Sequence, residues 1–352
     1  MKKGRYEGEI LTEKIVYCEY FELLKNKCRG IYLDSEANIT VKSPASIANL
    51  GPGFDIIGVA LSHPNDILSI YIRKGKGDLE IQVEGEEVLQ GKKNLVYFIA
   101  ENFLKSCDVL QTSSIELKLK KGVPVSMGLG SSAASSVAIV EALRIALGIE
   151  LSKRELILLS ACGELYAAGA LHYDNVSASY LGGMVLTEHN SMEFLKLPVL
   201  DRAFFSIIMP TYLSGREGKT MEARKLIPDK IGLRESIKQS SAFGKLISSL
   251  FLNDIKMFGE AINIDFIAEP YRKAMIPYYS ELKKEALEIG ALGFNIAGAG
   301  PSVFAVSDSE KKAEELGKSL VKYLQDRGIS AKYLITRPSV NGVMEEEIIR
   351  SP

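Results

Sequence analysis

The chain has 352 residues, with 43 basic against 44 acidic side chains and a formal net charge of −1. That length allows two domains with cores of their own, and the balanced charge gives no electrostatic reason to expect nucleic acid or an acidic membrane as a partner. Four cysteines without CxxC spacing and only three histidines argue against a structural zinc site and for a reducing, cytoplasmic setting.

Met1 to Ile10 lacks the apolar core of a signal peptide. Residues 1–35 read as an extension, in which 13–24 has the spacing of an amphipathic helix that packs or oligomerises. Residues 38–61 read as a short strand, a Gly-Pro-Gly turn and further apolar chain. Alternation at 79–83 and 115–119 predicts half-buried strands, with a helix over 94–110 between them. Lys118-Leu-Lys-Lys121 reads as solvated surface. A second helix runs to about Leu147, where Gly148 stops it, and a third fits 152–167, with Ser152 and Glu155 forming a capping box. Residues 176–187 turn through Gly182-Gly183 into a strand.

A second unit begins near 195–203. It reads as a strand at 204–209 ended by Pro210, helices over 219–227, 233–264 and 278–290, a strand at 302–306, an amphipathic helix over 309–325 and a strand at 331–337. Ile289 to Val306 carries no charge over 18 residues. Its glycines, Asn295 and Pro301 make it a strand, turn and strand, since a membrane span needs about 20 continuous apolar residues. The mixture of helices and antiparallel-looking strands reads as α+β, not as a doubly wound sheet.

The most specific stretch is Pro124-Val-Ser-Met-Gly-Leu-Gly-Ser-Ser-Ala-Ala134, a glycine and hydroxyl loop entering an apolar helix. Gly128 and Gly130 permit tight turns, free N–H groups can face anionic oxygens, and the helix presents its positive end, so the loop suits phosphate. No lysine follows in a GxxxxGK[ST] arrangement, so cationic help must come from elsewhere. Asn49 and Asp55 flank a rigid Gly51-Pro52-Gly53 turn and can present an amide and a carboxylate to a small polar ligand. Glu164 could supply a hard oxygen to Mg2+ or simply face solvent on a helix. His172-Tyr-Asp-Asn175 follows it, where His172 reads equally as a structural residue or a proton carrier.

Together these segments resemble the GHMP small-molecule kinases, and within them the homoserine kinases. The resemblance covers roughly residues 38–340 and rests on three motifs: Pro44 to Asp55, Pro124 to Ala134, and Gly298-Ala-Gly-Pro-Ser302. His172-Tyr-Asp-Asn-Val176 with Leu181-Gly-Gly183 is the homoserine-kinase version. The family often has Thr where this chain has Ser302.

The extension (1–35) is unusual for this family; for the rest the resemblance implies an ATP-binding domain like domain 2 of ribosomal protein S5 (36–198) and a ferredoxin-like domain (199–352). It implies ATP phosphates over Pro124, Ser126, Met127, Gly128, Leu129, Gly130, Ser131, Ser132, Ala133 and Ala134, with Gly298 and Gly300 nearby. Mg2+ would sit at Ser132 and Glu164, which are 32 residues apart. L-homoserine would be held by Asn49, Asp55, Asn175, Arg224 and Arg272, Asp55 taking the ammonium and the arginines the carboxylate. Asn175, Thr220 and Arg224 would act in catalysis, with Asp174 an open candidate for proton transfer.

The implied reaction is phosphorylation of L-homoserine by ATP, in threonine biosynthesis. The alternatives are a GHMP kinase acting on mevalonate or shikimate, or a non-catalytic nucleotide-binding regulator. A homodimer is one option. The extension could join a dimer surface, cover the cleft or respond to a pathway product.

Overall fold

The structure is a computed structural model and describes residues 17–31, 33, 35–85, 88–211 and 219–351. β1 (Glu36–Asn49) and β2 (Gly53–Lys74) pair antiparallel around the Gly-Pro-Gly turn. Both are much longer than the short strand expected over 38–61. β3 (Asp78–Glu84) crosses through α2 (Leu95–Ser106) to β4 (Ser113–Lys120), which lies parallel to β3 and antiparallel to β2. β5 (Met184–Glu188) pairs with β2 and with β6 (Glu193–Leu197).

α3 (Ser131–Leu147) lies across β1 and β2, flanked by α2, α4 (Lys153–Ala168) and α5 (Asp174–Leu181). Being covered on several sides, α3 is apolar around most of its circumference, as a helix inside a core must be. The Ser152/Glu155 capping box of α4 is present. The Gly182-Gly183 turn leads into β5 as expected, but α5, which ends at Leu181 just before the turn, was not expected. Its run Val-Ser-Ala-Ser-Tyr has no strong apolar period to announce a helix.

The second sheet has the order β10-β7-β9-β8 and is antiparallel throughout, from β7 (Phe204–Pro210), β8 (Gly293–Ile296), β9 (Val303–Ser307) and β10 (Ala331–Thr336). With helices between its strands this is the ferredoxin-like order. α6 (Lys219–Lys225) precedes the helix expected over 233–264, which is in fact two, α7 (Leu233–Leu252) and α8 (Ile255–Ile262). The break falls at Asn253, which caps α7 at φ 50°, and Asp254 then caps α8 through a bond from Met257 N–H. α9 (Glu269–Arg272), α10 (Tyr279–Ile289) and α11 (Glu310–Gln325) complete the helices.

Two segments tie the ends of the chain to the first sheet. β11 (Met344–Ser351) returns to pair with β1, across the division expected at 198/199. At the other end a short 3-10 turn, Glu19–Phe21, runs into α1 (Glu22–Lys27). The expected helix over 13–24 begins outside the described residues. The cysteines, expected in a reducing setting, are paired instead, Cys18 with Cys162 and Cys28 with Cys107.

The two sheets share an apolar cluster in which Ile47, Leu50 and Ile57 meet Phe205, Leu246, Phe258 and Phe304. No helix among the described residues is long and apolar enough to cross a membrane.

Candidate active site

The phosphate-type loop joins β4 to α3. Gly128 has φ 74°, and a Cβ there would stand 2.1 Å from the carbonyl oxygen of Ala297. A side chain is therefore excluded twice over, by backbone conformation and by the second glycine loop (Gly298 to Ser302) pressed against it. Gly130 is the left-handed N-cap of α3. Ser131, Ser132, Ala133 and Ala134 form the first turn of α3; the N–H groups of Ser131, Ser132 and Ala133 have no intrahelical acceptor, whereas that of Ala134 donates to the Gly130 carbonyl. Pro124, Ser126, Met127 and Leu129 shape the loop around Gly128. Leu129 and Met127 are buried in the shared core, so their side chains are anchors, leaving the backbone to face a ligand.

The loop is held from beneath by an ion pair whose lysine was expected on the surface. The Lys121 side chain is 5% exposed and forms a salt bridge with the fully buried Asp66. Lys121 Nζ also donates to the Ser131 carbonyl and to Ser135 Oγ, both at 2.9 Å. Asp66 accepts from the N–H groups of Gly122 and Val123 and from Ser135 Oγ. One ion pair thus fastens both ends of the loop. Strand alternation could have revealed it: Ile115, Leu117 and Leu119 point inward, and residue 121 continues that face.

Glu164 lies on α4 opposite the start of α3. Gly163 allows the approach, since a Cβ there would fall 1.9 Å from Ser136 Oγ. Glu164 is 5% exposed, and its Oε1 has no hydrogen-bond partner. Burial pushes its carboxyl above the ordinary value, against the pull of His172 and the Ser132 hydroxyl. A buried oxygen without a donor beside a serine hydroxyl fits a hard divalent cation. Among the described residues no group of three or more His, Cys, Asp or Glu could hold a metal. A cation here would complete its shell with phosphate oxygens and water, as Mg2+ does.

The polar cluster next to this point gathers from four segments. Arg224 Nη1 of α6 lies 3.1 Å from Asp55 Oδ2, and His172 Nδ1 lies 3.5 Å from Asp55 Oδ1. Burial works against charge on Asp55, but His172 and Arg224 together hold its carboxyl below the usual range. His172 is raised: burial opposes its charge, and the carboxylates of Asp55, Glu164 and Asp174 outweigh it. Its Nε2 is buried without a partner. Asp174, 4% exposed, is pushed up to about 6 by burial and by Asp55. Asn175 Oδ1 accepts from Ser46 Oγ at 3.0 Å and borders Gly130, which joins this cluster to the phosphate-type loop.

Arg272 is 5% exposed and donates to the Gly298 carbonyl at 3.0 Å and the Ala223 carbonyl at 3.3 Å. Its guanidinium lies 5.2 Å from the Phe54 ring centroid. The Gly298 carbonyl also accepts from Asn49 Nδ2 at 2.9 Å, while Asn49 Oδ1 accepts from Asp55 N–H at 3.1 Å. Asn49 therefore has its amide committed to shaping the turn. Gly300 follows in the same loop, and the Ser302 hydroxyl is buried without a partner. Thr220 belongs to α6, but its side chain lies outside the described residues. The contacts above link Asn49, Asp55, His172, Asn175, Arg224 and Arg272 to the phosphate-type loop and the Gly298 loop; the sequence reading did not single out Lys121 with Asp66 beneath the loop or Ser46 beside Asn175.

Residues 94–183 match the family model for the GHMP kinases N terminal domain, and residues 246–326 the model for GHMP kinases C terminal. The chain is 36% identical over 298 residues to a homoserine kinase of Pyrococcus abyssi, an alignment covering 84% of this chain and 96% of that protein. A crystal structure of homoserine kinase from Cytophaga hutchinsonii superposes with a TM-score of 0.79 at 33% identity, covering 89% of this chain and 97% of the other. Mevalonate kinase of L. major in complex with R-mevalonate, at 14% identity and a TM-score of 0.62, shares the fold; the alignment covers 87% of this chain and 97% of that one.

Proposed function

Because this chain belongs to the GHMP kinases, and within them to the homoserine kinases, we propose that the cleft described above transfers the γ-phosphoryl group of ATP to the side-chain hydroxyl of L-homoserine, giving O-phospho-L-homoserine and ADP. The observation that carries the acceptor class is the Asp55–Arg224 contact at 3.1 Å, with Arg272 buried nearby. In the free site these opposite charges satisfy one another. An α-amino acid carries an ammonium and a carboxylate on one carbon, so it can insert between them and give each a new partner. Mevalonate and shikimate have a carboxylate but no ammonium, and would leave Asp55 without a replacement for Arg224.

The residues divide the work by position. N–H groups of the loop and of the first turn of α3 bind the phosphates, where the positive end of the helix favours negative charge. Ser132 and Glu164 would hold Mg2+, which supplies charge neutralisation on the phosphates being separated. Asp55 takes the ammonium, Arg224 and Arg272 the carboxylate. Asn175, fixed by Ser46, faces the acceptor end of the loop, and Asn49 holds the turn that aims Asp55. Phosphoryl transfer passes through a loose transition state, so alignment and charge stabilisation supply most of the acceleration and a strong base is not needed. Use of ATP points to the cytoplasm as the setting.

The test is ADP formation with ATP and Mg2+ across L-homoserine, L-threonine, L-serine, mevalonate and shikimate, with product mass checked. L-homoserine should dominate. A preference for an acceptor without an ammonium would overturn the assignment of Asp55, and ATP binding without turnover on any acceptor would overturn the kinase reading.

A further inference from the structure

The segment before β1 lies against the site described above. Cys18 is bonded to Cys162, two positions before Glu164 on α4. Cys28 is bonded to Cys107, which ends α2. Between these two anchors, Tyr20 Oη shares a hydrogen bond of 2.7 Å with Tyr173 Oη, and Tyr173 immediately precedes Asp174 and Asn175. Phe21 packs edge-on to Phe98 with centroids 6.2 Å apart, and Phe98 stacks on Tyr166 of α4 at 4.5 Å. Lys27 reaches Glu155 at the start of α4 at 3.2 Å. Cys18, Phe21, Leu24 and Cys28 are all buried in the core formed with α2, α3 and α4.

We propose that residues 17–28 are a disulfide-fastened strap that positions Glu164 and the Tyr173–Asn175 corner, making the metal and acceptor subsites sensitive to thiol reduction. The proposal rests on the reading of Glu164 and Asn175 given above. Two anchors would serve any stabilising cap. What distinguishes this one is where it attaches: at the helix carrying Glu164, half a turn away, and at the residue leading into Asn175. A carboxylate held for a cation needs its supporting contacts fixed, because losing one loosens the geometry the cation must find. The alignment with the Pyrococcus abyssi protein spans 96% of that protein but 84% of this chain, so this chain has additional length from which such a strap can be made.

The switching chemistry is a two-electron exchange at each bridge. A dithiol reductant gives two electrons and two protons to a disulfide, which becomes two thiols, and the reductant closes to its own disulfide. Reduction frees residues 17–28 from both covalent anchors and leaves the Tyr20–Tyr173 hydrogen bond, the Lys27–Glu155 ion pair and the apolar contacts to hold them. Paired cysteines are unusual in an ordinary reducing cytosol, so both states can be reached only where the local redox poise is near that of the bridges.

The experiment compares the full-length protein as isolated without reductant and after dithiothreitol treatment, with thiols counted by alkylation and mass spectrometry. Binding of Mg2+ with a non-hydrolysable ATP analogue is measured by calorimetry, and KM for L-homoserine is measured separately from kcat. Reduction should weaken Mg2+ binding about 10-fold, the lower end of what supporting contacts contribute to metal affinity, and raise KM with a smaller effect on kcat. A Cys18→Ala/Cys162→Ala variant should match the reduced protein at that bridge and lose most of its response. Tyr20→Phe should raise KM while leaving both bridges intact. Four free thiols in the protein as isolated would overturn the proposal, as would a lower melting temperature on reduction with unchanged Mg2+ binding and KM, the mark of a purely stabilising cap. The calorimetry needs no turnover, so a failure of the homoserine assignment would leave it readable and separate from a failure of the strap.

Discussion

Glu164 keeps a carboxylate oxygen buried and without a donor, an arrangement that costs stability unless something else occupies the place. Its carboxyl is raised above the ordinary value by burial. A raised carboxylate pKa means that the fold disfavours the ionised form. The cost is absent well below the ordinary glutamate range and grows as pH rises through it. Glu164→Gln removes that ionisation, so the variant should melt higher than the parent at pH 7 to 8, with the difference shrinking toward pH 4. It should also need about 10 to 100 times more Mg2+ for half-maximal turnover. Thermal melts across pH and a Mg2+ titration check both; equal Mg2+ requirements would reject the metal role. The family resemblance pointed to Glu164, Ser132 and Arg272 as site residues. The burial of Lys121 was not legible, because it sits in a lysine-rich run whose other members, Lys118 and Lys120, do face solvent. The resemblance pointed to Asn49 as a substrate contact, but sequence could not show that its amide is committed to Gly298 and Asp55.

The element most tightly specified is the β4–loop–α3 unit. Gly128 meets the opposing loop, Gly130 meets Ser46 and Asn175, and the ends are tied by Lys121 and Asp66, so the pair should matter both to folding and to nucleotide use. Lys121→Met leaves a buried Asp66 charge without its counter-ion and should destabilise the protein by about 3–5 kcal/mol. The same substitution should raise KM for ATP more than KM for the acceptor, because Lys121 touches the loop and not the Asp55 cluster. Denaturant unfolding and steady-state kinetics check the two parts; parallel changes in both KM values would point to general loosening. Elements with a clear period or cap, such as α2, α4, α11 and the β3 and β4 strands, were legible. α5 was hidden by its small, weakly patterned residues. The split between α7 and α8 turns on Asn253 adopting the left-handed conformation, which an apolar period running through 233–264 does not reveal.

The two sheets are joined by one apolar cluster, and the groups proposed to face the ligands are the phosphate-type loop from the first unit and Arg224, Arg272 and the Gly298 loop from the second. That convergence was expected from the family resemblance. The return of β11 to β1 was not, since Met344-Glu-Glu-Glu-Ile-Ile-Arg-Ser351 lacks a clean two-residue alternation and its partner strand lies at the opposite end of the sequence. The pairing of the cysteines depends equally on long-range proximity, with separations of 144 and 79 residues.

On the proposed reading, joining the units places Asp55 where the amino group of the acceptor arrives, and that reading can be tested directly. The measurement is kcat/KM for L-homoserine against 4-hydroxybutanoate, the same acceptor without its amino group, in the parent protein and in Asp55→Ala. The parent should prefer L-homoserine by more than about 100-fold, as expected when a polar site group loses its partner, and Asp55→Ala should lose most of that preference. Equal use of both acceptors by the parent, or an unchanged preference in the variant, would contradict recognition of an amino acid by Asp55.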